Sequence, residues 1–252
     1  MAVKAKLEGH TFDLDALVEL FREGDPRVSK EEGGYYLNSA ELGGLMDNGG
    51  RLFEAATNLL QRVTGVARVL DSSFRPVSLP GIFVEDDGTG NRRRHHIVQA
   101  DTAVVRSRAY GVVLSVGDGQ SPPSQPPPPS PPEGPPYMRL ASSHVDVAET
   151  LEILGRSSVS LTWVDLYKVY EIVRGNVGGD KQLKATQWVS SGDLSAFTAS
   201  ANRPDVSGSE ARHARATGTG LPKRTMTLAE GEAFVRSLVL AWWNYLGGQP
   251  SA

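Results

Sequence analysis

Five polar residues crowd one short stretch of the chain: Asn202, Arg203, Arg212, His213 and Arg215, set around a Pro-Asp-Val-Ser-Gly turn at residues 204–208. Those types suit proton transfer at a phosphate. An imidazole titrates near neutrality, a guanidinium neutralises charge developing on a phosphoryl group, and an amide positions the reactant. His213 is therefore the candidate base, Arg203 and Arg212 the candidate cations, and Asn202 the positioner. Pro204 should end the helix carrying Asn202, and Gly208 allows a tight turn. Ser207 and Glu210 are spaced to cap a new helical turn holding Arg212, His213 and Arg215. On such a turn Arg212 and His213 point about 100° apart, so one faces the helices and the other faces solvent. The same residues also fit a solvated corner, with Asn202 capping a helix end, the arginines in water and His213 bonded locally. Spacing leaves both readings open.

Charge adds to the first reading. From Arg203 to Arg224 five cations (Arg203, Arg212, Arg215, Lys223, Arg224) face only Asp205 and Glu210, a net +3 inside a chain of net −3. This makes Arg215, Lys223 and Arg224 candidates for holding an anionic partner such as RNA. A second basic run, "NRRRHH" at Asn91–His96, would as a strand put Arg92, Arg94 and His96 on one face and Arg93 and His95 on the other. Arg92, Arg93 and Arg94 could grip phosphates, or form a charged edge that discourages strand-to-strand aggregation. Glu171 and Arg174 are candidates to orient the His/Arg group; they also fit an ordinary surface pair one helical turn apart.

Several chemistries drop out. The chain has no cysteine, so thiolate nucleophiles, thiolate metal sites and disulfides are excluded. The five histidines lack metal-binding spacing, and no phosphate-binding glycine loop or serine elbow appears, so no metal and no cofactor is expected. Hydrophobic content of 39%, charged content of 22% and a net charge of −3 describe a soluble globular chain rather than a uniformly basic one. The polar N-terminus and the lack of an apolar run near ~20 residues point to a cytoplasmic protein with no membrane partner.

The elements that position these residues follow from pattern. Ten of the 16 prolines lie in "QSPPSQPPPPSPPEGPP", Gln120 to Pro136, expected to be a polyproline-II linker or long loop, neither helix nor interior strand. The division is residues 1–118, linker 119–137, and 138–252. Before the linker, "GGYYLNS" (33–39) and "RPVSLPGIFVEDDG" (75–88) read as strands, with a long helix over "RLFEAATNLLQRVTGVARVL". Two further strands are expected in "HHIVQADTAVVRSRAYGVVLSV", the first paired with Ile82–Val84. After the linker come four helices. One starts at a Ser143–Asp146 signal and stops at Gly155, and one buries Leu166, Val169, Tyr170 and Val173. A third stops at Pro204, and the last is capped by Thr227 and Glu230, with a stripe of Leu228, Val235, Leu238, Val239, Trp242 and Leu246. The fold class is α+β: a small antiparallel sheet with a long helix, a Pro-rich linker and a helical bundle.

The runs "WVDLYKVYEIVRGNVGGDKQL", "SSGDLSAFTASANRPDVSGSEARHA" and "KRTMTLAEGEAFVRSLVLAWW" resemble a widespread group of uncharacterised bacterial proteins, as do "GGYYLNSAEL" and "LLQRVTGVARVLDSSFRPVSLPGIFVEDDGTGN". That group pairs an α+β N-terminal half with a helical C-terminal domain. More distantly, the helical domain resembles the HEPN superfamily, four-helix proteins many of which are ribonucleases of toxin–antitoxin and anti-phage systems. Their motif sets an arginine and a polar residue four to six residues before a histidine. Here nine residues separate Arg203 from His213, Pro204 follows the arginine, and Arg212 abuts the histidine. The resemblance implies RNA binding or metal-independent RNA cleavage in a defence or toxin setting, with sites completed by dimerisation of the bundle. The alternative is a non-catalytic interaction or self-assembly module with Trp242, Trp243 and Tyr245 at the contact.

Overall fold

Alternation of small apolar residues with lysine over AVKAKL makes β1 (Ala2–Leu7), which turns Val3, Ala5 and Leu7 inward and Lys4 and Lys6 outward. The computed structural model describes residues 2–86, 92–97, 131–156, 160–215 and 222–248, and over these the protein is α+β. After β1 come α1 (Thr11–Phe21), the hairpin of β2 (Arg27–Glu31) and β3 (Gly34–Asn38), the short α2 (Ala40–Gly43), the long α3 (Gly49–Leu70), β4 (Ile82–Asp86) and β5 (Arg92–His96). Every neighbouring pair in the sheet is antiparallel, in the order β2-β3-β1-β4-β5. Helix α1 joins strands with β3 between them, and α3 joins strands with β1 between them. These are two interleaved split β-α-β units, the ferredoxin-like order, extended at one edge by β5.

The expected strands at 33–39 and 75–88 are β3 and β4, and the expected long helix is α3. The strand expected to pair with Ile82–Val84 does so, but it begins at Arg92: Ile82 faces His96 and Val84 faces Arg94. The second strand expected beyond it, and most of the Pro-rich stretch, lie outside the described residues.

The C-terminal part holds α4 (Gly134–Ser143), α5 (Val145–Leu154), α6 (Trp163–Asn176), α7 (Asp180–Ala185), α8 (Ser191–Asn202), the single turn α9 (Pro204–Ser207) and α10 (Leu228–Gly247). The Thr227–Glu230 capping box is present, and Thr162 and Asp165 form a second one on α6. Val235, Leu238, Val239 and Trp242 are fully buried, as are Leu166, Val169, Tyr170 and Val173 of α6. Leu228 is half-buried. Among these helices Trp163, Tyr167, Tyr170, Phe197 and Phe234 form one aromatic cluster.

Three expectations need correction. The last residues of the Pro-rich stretch are helical: Gly134, Pro135 and Pro136 form the first turn of α4, where proline's missing N–H costs nothing. Ser143 ends α4, so the cap position of α5 is His144. Trp242 and Trp243 are 0% and 2% exposed, which removes them from any contact surface and leaves Tyr245 on the outside.

The two parts that the prolines separate in sequence share one core. Gly65 of α3 lets the backbone of Leu151 approach so closely that a Cβ there would lie 2.4 Å from the Leu151 carbonyl oxygen. Gly155, just past α5, does the same against Gln61. The paired positions run in opposite directions, so α3 and α5 cross antiparallel. Arg62 binds Glu152 beside the crossing at 2.7 Å. Among the described residues no helix is long and apolar enough to cross a membrane.

Candidate active site at the α8–α9 corner

Ser190 caps α8, and Pro204 both stops that helix and starts α9. Gly208, at φ +61°, ends α9, and a 3-10 turn follows at Gly208–Glu210. No helical turn then holds Arg212, His213 and Arg215: residues 211–215 are bends, contrary to the expectation from Ser207 and Glu210. The reason lies in tertiary bonds. The Arg212 N–H donates to the Ala201 carbonyl at 2.8 Å and the Ser207 hydroxyl donates to the Ser200 carbonyl at 2.6 Å. The chain therefore folds back on the end of α8. The Ser200 hydroxyl, fully buried, also accepts from Met226 N–H at 2.7 Å, which ties the approach to α10 to the same point.

Returning there, Arg212 meets α6. Its Nη2 lies 3.3 Å from Glu171 Oε1 and its guanidinium 4.5 Å over the ring of Tyr167, one turn earlier on that helix. Both charged side chains are about one-third exposed (37% and 34%), so the pair adds little stability; its effect is to fix where a cation points. His213 follows directly, half-buried, and forms no hydrogen bond or ion pair with any described residue. Asn202 donates Nδ2–H to the Thr198 carbonyl at 2.9 Å, while its Oδ1 is buried with no partner among the described residues.

The other candidates go elsewhere. Arg203 makes a two-pronged pair with Asp205 at 3.0 and 2.7 Å, and its hydrogen bonds hold that carboxyl below the usual range. Arg174 is not paired with Glu171; it lies 3.6 Å from Asp180 and over the ring of Tyr170. Arg224 binds Asp193, whose carboxyl is held below the usual range first by the Ser190 hydroxyl and then by Arg224. Arg215 and Lys223 are exposed with no described partner. The corner thus brings Arg212 onto Glu171 and Tyr167, with His213 next to it in sequence and Asn202 next to the Ala201 carbonyl that holds the Arg212 backbone, and leaves Arg203 and Arg174 in local pairs. Tyr167 and Ser200 were not anticipated. Tyr167 carried a signal, since it stands one turn before Glu171 on the same face; Ser200 carried none.

The basic run at the sheet edge behaves as a strand. Arg94 stands opposite Val84 and Arg93 opposite Glu85, and both arginines are exposed; the side chain of Arg92 is not among those described. His95 lies 3.3 Å from Glu85. β5 is an edge of the described sheet, which fits a charged strand that resists further pairing. His10 caps α1 and His144 stands at the start of α5. Among the described residues no cluster of ligating side chains could hold a metal ion. Comparison with protein-family models, curated proteins and solved structures finds no match to this chain.

Proposed function

We propose that the protein binds RNA at the α8–α9 corner and cleaves it there without a metal ion. Arg212 and His213 carry the chemistry. The observation behind this reading is that Glu171, Tyr167 and the Ala201 carbonyl fix Arg212, while the adjacent imidazole has no partner among the described residues. A phosphate drawn by Arg212, Arg215 and Lys223 meets a fixed cation and, beside it in sequence, an imidazole able to carry a proton. The ribose 2′-oxygen attacks the adjacent phosphorus, His213 takes the 2′-hydroxyl proton, and the bond from phosphorus to the 5′-oxygen breaks. The imidazolium gives its proton to that oxygen, and Arg212 neutralises charge on the phosphorane.

The test is incubation of the full chain with total tRNA, with and without EDTA, beside His213→Ala and Arg212→Ala. Cleavage that survives chelation and is lost in both variants supports the proposal. Intact RNA in every lane, or cleavage that continues in His213→Ala, overturns it. A second copy set against the C-terminal helices would bring a second Arg212–His213 pair. In that case the rate rises faster than in proportion to protein concentration.

A further inference from the structure

A cavity of about 380 Å³ opens where the end of α3 meets α5, α6 and α10. Its lining combines apolar side chains, among them Phe74, Leu154, Leu161, Leu166 and Val235, with the charged groups of Arg68, Asp71, Glu232 and Arg236. Helix ends explain where the guanidiniums sit. Arg68, only 9% exposed, donates Nη1 to the Leu154 and Arg156 carbonyls at 2.8 and 3.2 Å, at the C-terminus of α5. Arg236 donates Nε and Nη2 to the Val69 and Leu70 carbonyls at 3.2 and 3.3 Å, at the C-terminus of α3. Cations there meet the open carbonyls and the negative end of each helix.

Arg236 and Glu232 have hydrogen-bonding capacity left over. Among the described residues nothing accepts from Arg236 Nη1. Glu232, one turn before Arg236, is half-buried and has neither a hydrogen bond nor an ion pair with a described residue. Burial pushes its carboxyl above the usual range, outweighing the opposing pull of Arg68 and Arg236. A desolvated carboxylate without a donor is costly, and a bound donor would relieve it. The lining charges, two guanidiniums and two carboxylates, cancel; a ligand carrying both signs keeps that balance, and one carrying a single sign breaks it.

We propose that this cavity binds a small zwitterion with an apolar side chain, an aliphatic α-amino acid, its ammonium on Glu232, its carboxylate on Arg236 Nη1 and its side chain against Leu154, Leu161 and Leu166. The cavity is within the size range of small-molecule sites. This site is separate from the RNA reading and neither depends on the other.

The experiment is isothermal titration of the full chain with L-leucine, with 4-methylpentanoate, which lacks the ammonium, and with 3-methylbutylamine, which lacks the carboxylate. Leucine binds, and each analogue binds about tenfold more weakly or worse, since each loses one charge-assisted contact. Glu232→Gln weakens leucine by a similar factor. Ala233→Phe plugs the mouth from an exposed position on α10 and abolishes binding, while its thermal melt stays at the wild-type value. No heat with leucine, an analogue that matches leucine, or unchanged affinity in Ala233→Phe overturns the proposal.

Discussion

Gly65→Ala tests whether the α3–α5 crossing holds the molecule together. Two effects oppose each other. Alanine is the better helix former by about 1 kcal/mol, so in an open helix the change stabilises. At Gly65 the new Cβ would lie 2.4 Å from the Leu151 carbonyl oxygen and 2.9 Å from its Cα, where ordinary contact begins at 3.4 Å. The helices would have to separate by about 1 Å, and the obstacle is backbone, which cannot rotate away. Val63, Val66, Leu151 and Leu154 around the crossing are at most 2% exposed, so separation opens gaps in a closed core. Overpacking costs about 1–3 kcal/mol, and a backbone clash belongs at the upper end. The net expectation is a loss of about 2 kcal/mol, seen in urea denaturation and as a fall in Tm of about 4–8 °C. Gly155→Ala is worse, because its Cβ would lie 1.6 Å from the Gln61 oxygen. Gly175→Ala on α6 meets nothing within 4 Å and stabilises by up to about 1 kcal/mol. All four tryptophans lie beyond the crossing in sequence, so their fluorescence follows the C-terminal helices, while circular dichroism also follows the sheet. With one shared core the two transitions coincide. A Gly65→Ala protein as stable as wild type, or two separated transitions, would refute the reasoning.

Two further expectations concern buried polar groups. Ser200→Ala leaves the Met226 N–H without its acceptor in a closed site; it costs about 1–3 kcal/mol in urea denaturation, and a loss below about 0.5 kcal/mol would contradict the bond. Tyr170 is pushed up to about 12, first by burial and then by Asp180. The unfolded phenol ionises near about 10, so the unfolded state gives up its proton first and stability falls as pH rises through that interval. Difference titration of tyrosinate absorbance against Tyr170→Phe should place this group last; ionisation near about 10 would contradict it.

Legibility in the sequence followed the strength of local signals. Helices α3, α6, α8 and α10 announce themselves through apolar spacing and capping residues. Helix α1 does not, because its pattern is inverted at two places: Phe12 is 80% exposed and Asp13 is buried. Asp13 is inside because Arg75 reaches it with both its backbone N–H and Nε, at 3.0 and 2.9 Å, a partner 62 residues away. β1 and β2 are quiet for another reason: alanine and lysine fill much of one, and Val28 is the sole buried residue of the other. At the corner, Pro204 and Gly208 marked where the chain turns, but not the return of Arg212 to Ala201 and Glu171, which depends on contacts between distant segments. Pairing also redirected Arg203: Asp205, two residues away, was close enough in sequence to claim it. The Arg68–Glu232–Arg236 cavity is lined from α3, α5, α6 and α10, far apart along the chain, and no local pattern foretells it.

The most direct measurement of the proposed chemistry is the identity of the cut ends when the full chain cleaves RNA in EDTA. Attack by the 2′-oxygen predicts 2′,3′-cyclic phosphate and 5′-hydroxyl ends, no product from the same substrate with a 2′-deoxy sugar at the cut, and none from His213→Ala. Ends bearing a 5′-phosphate, or cutting that ignores the missing 2′-hydroxyl, would contradict it.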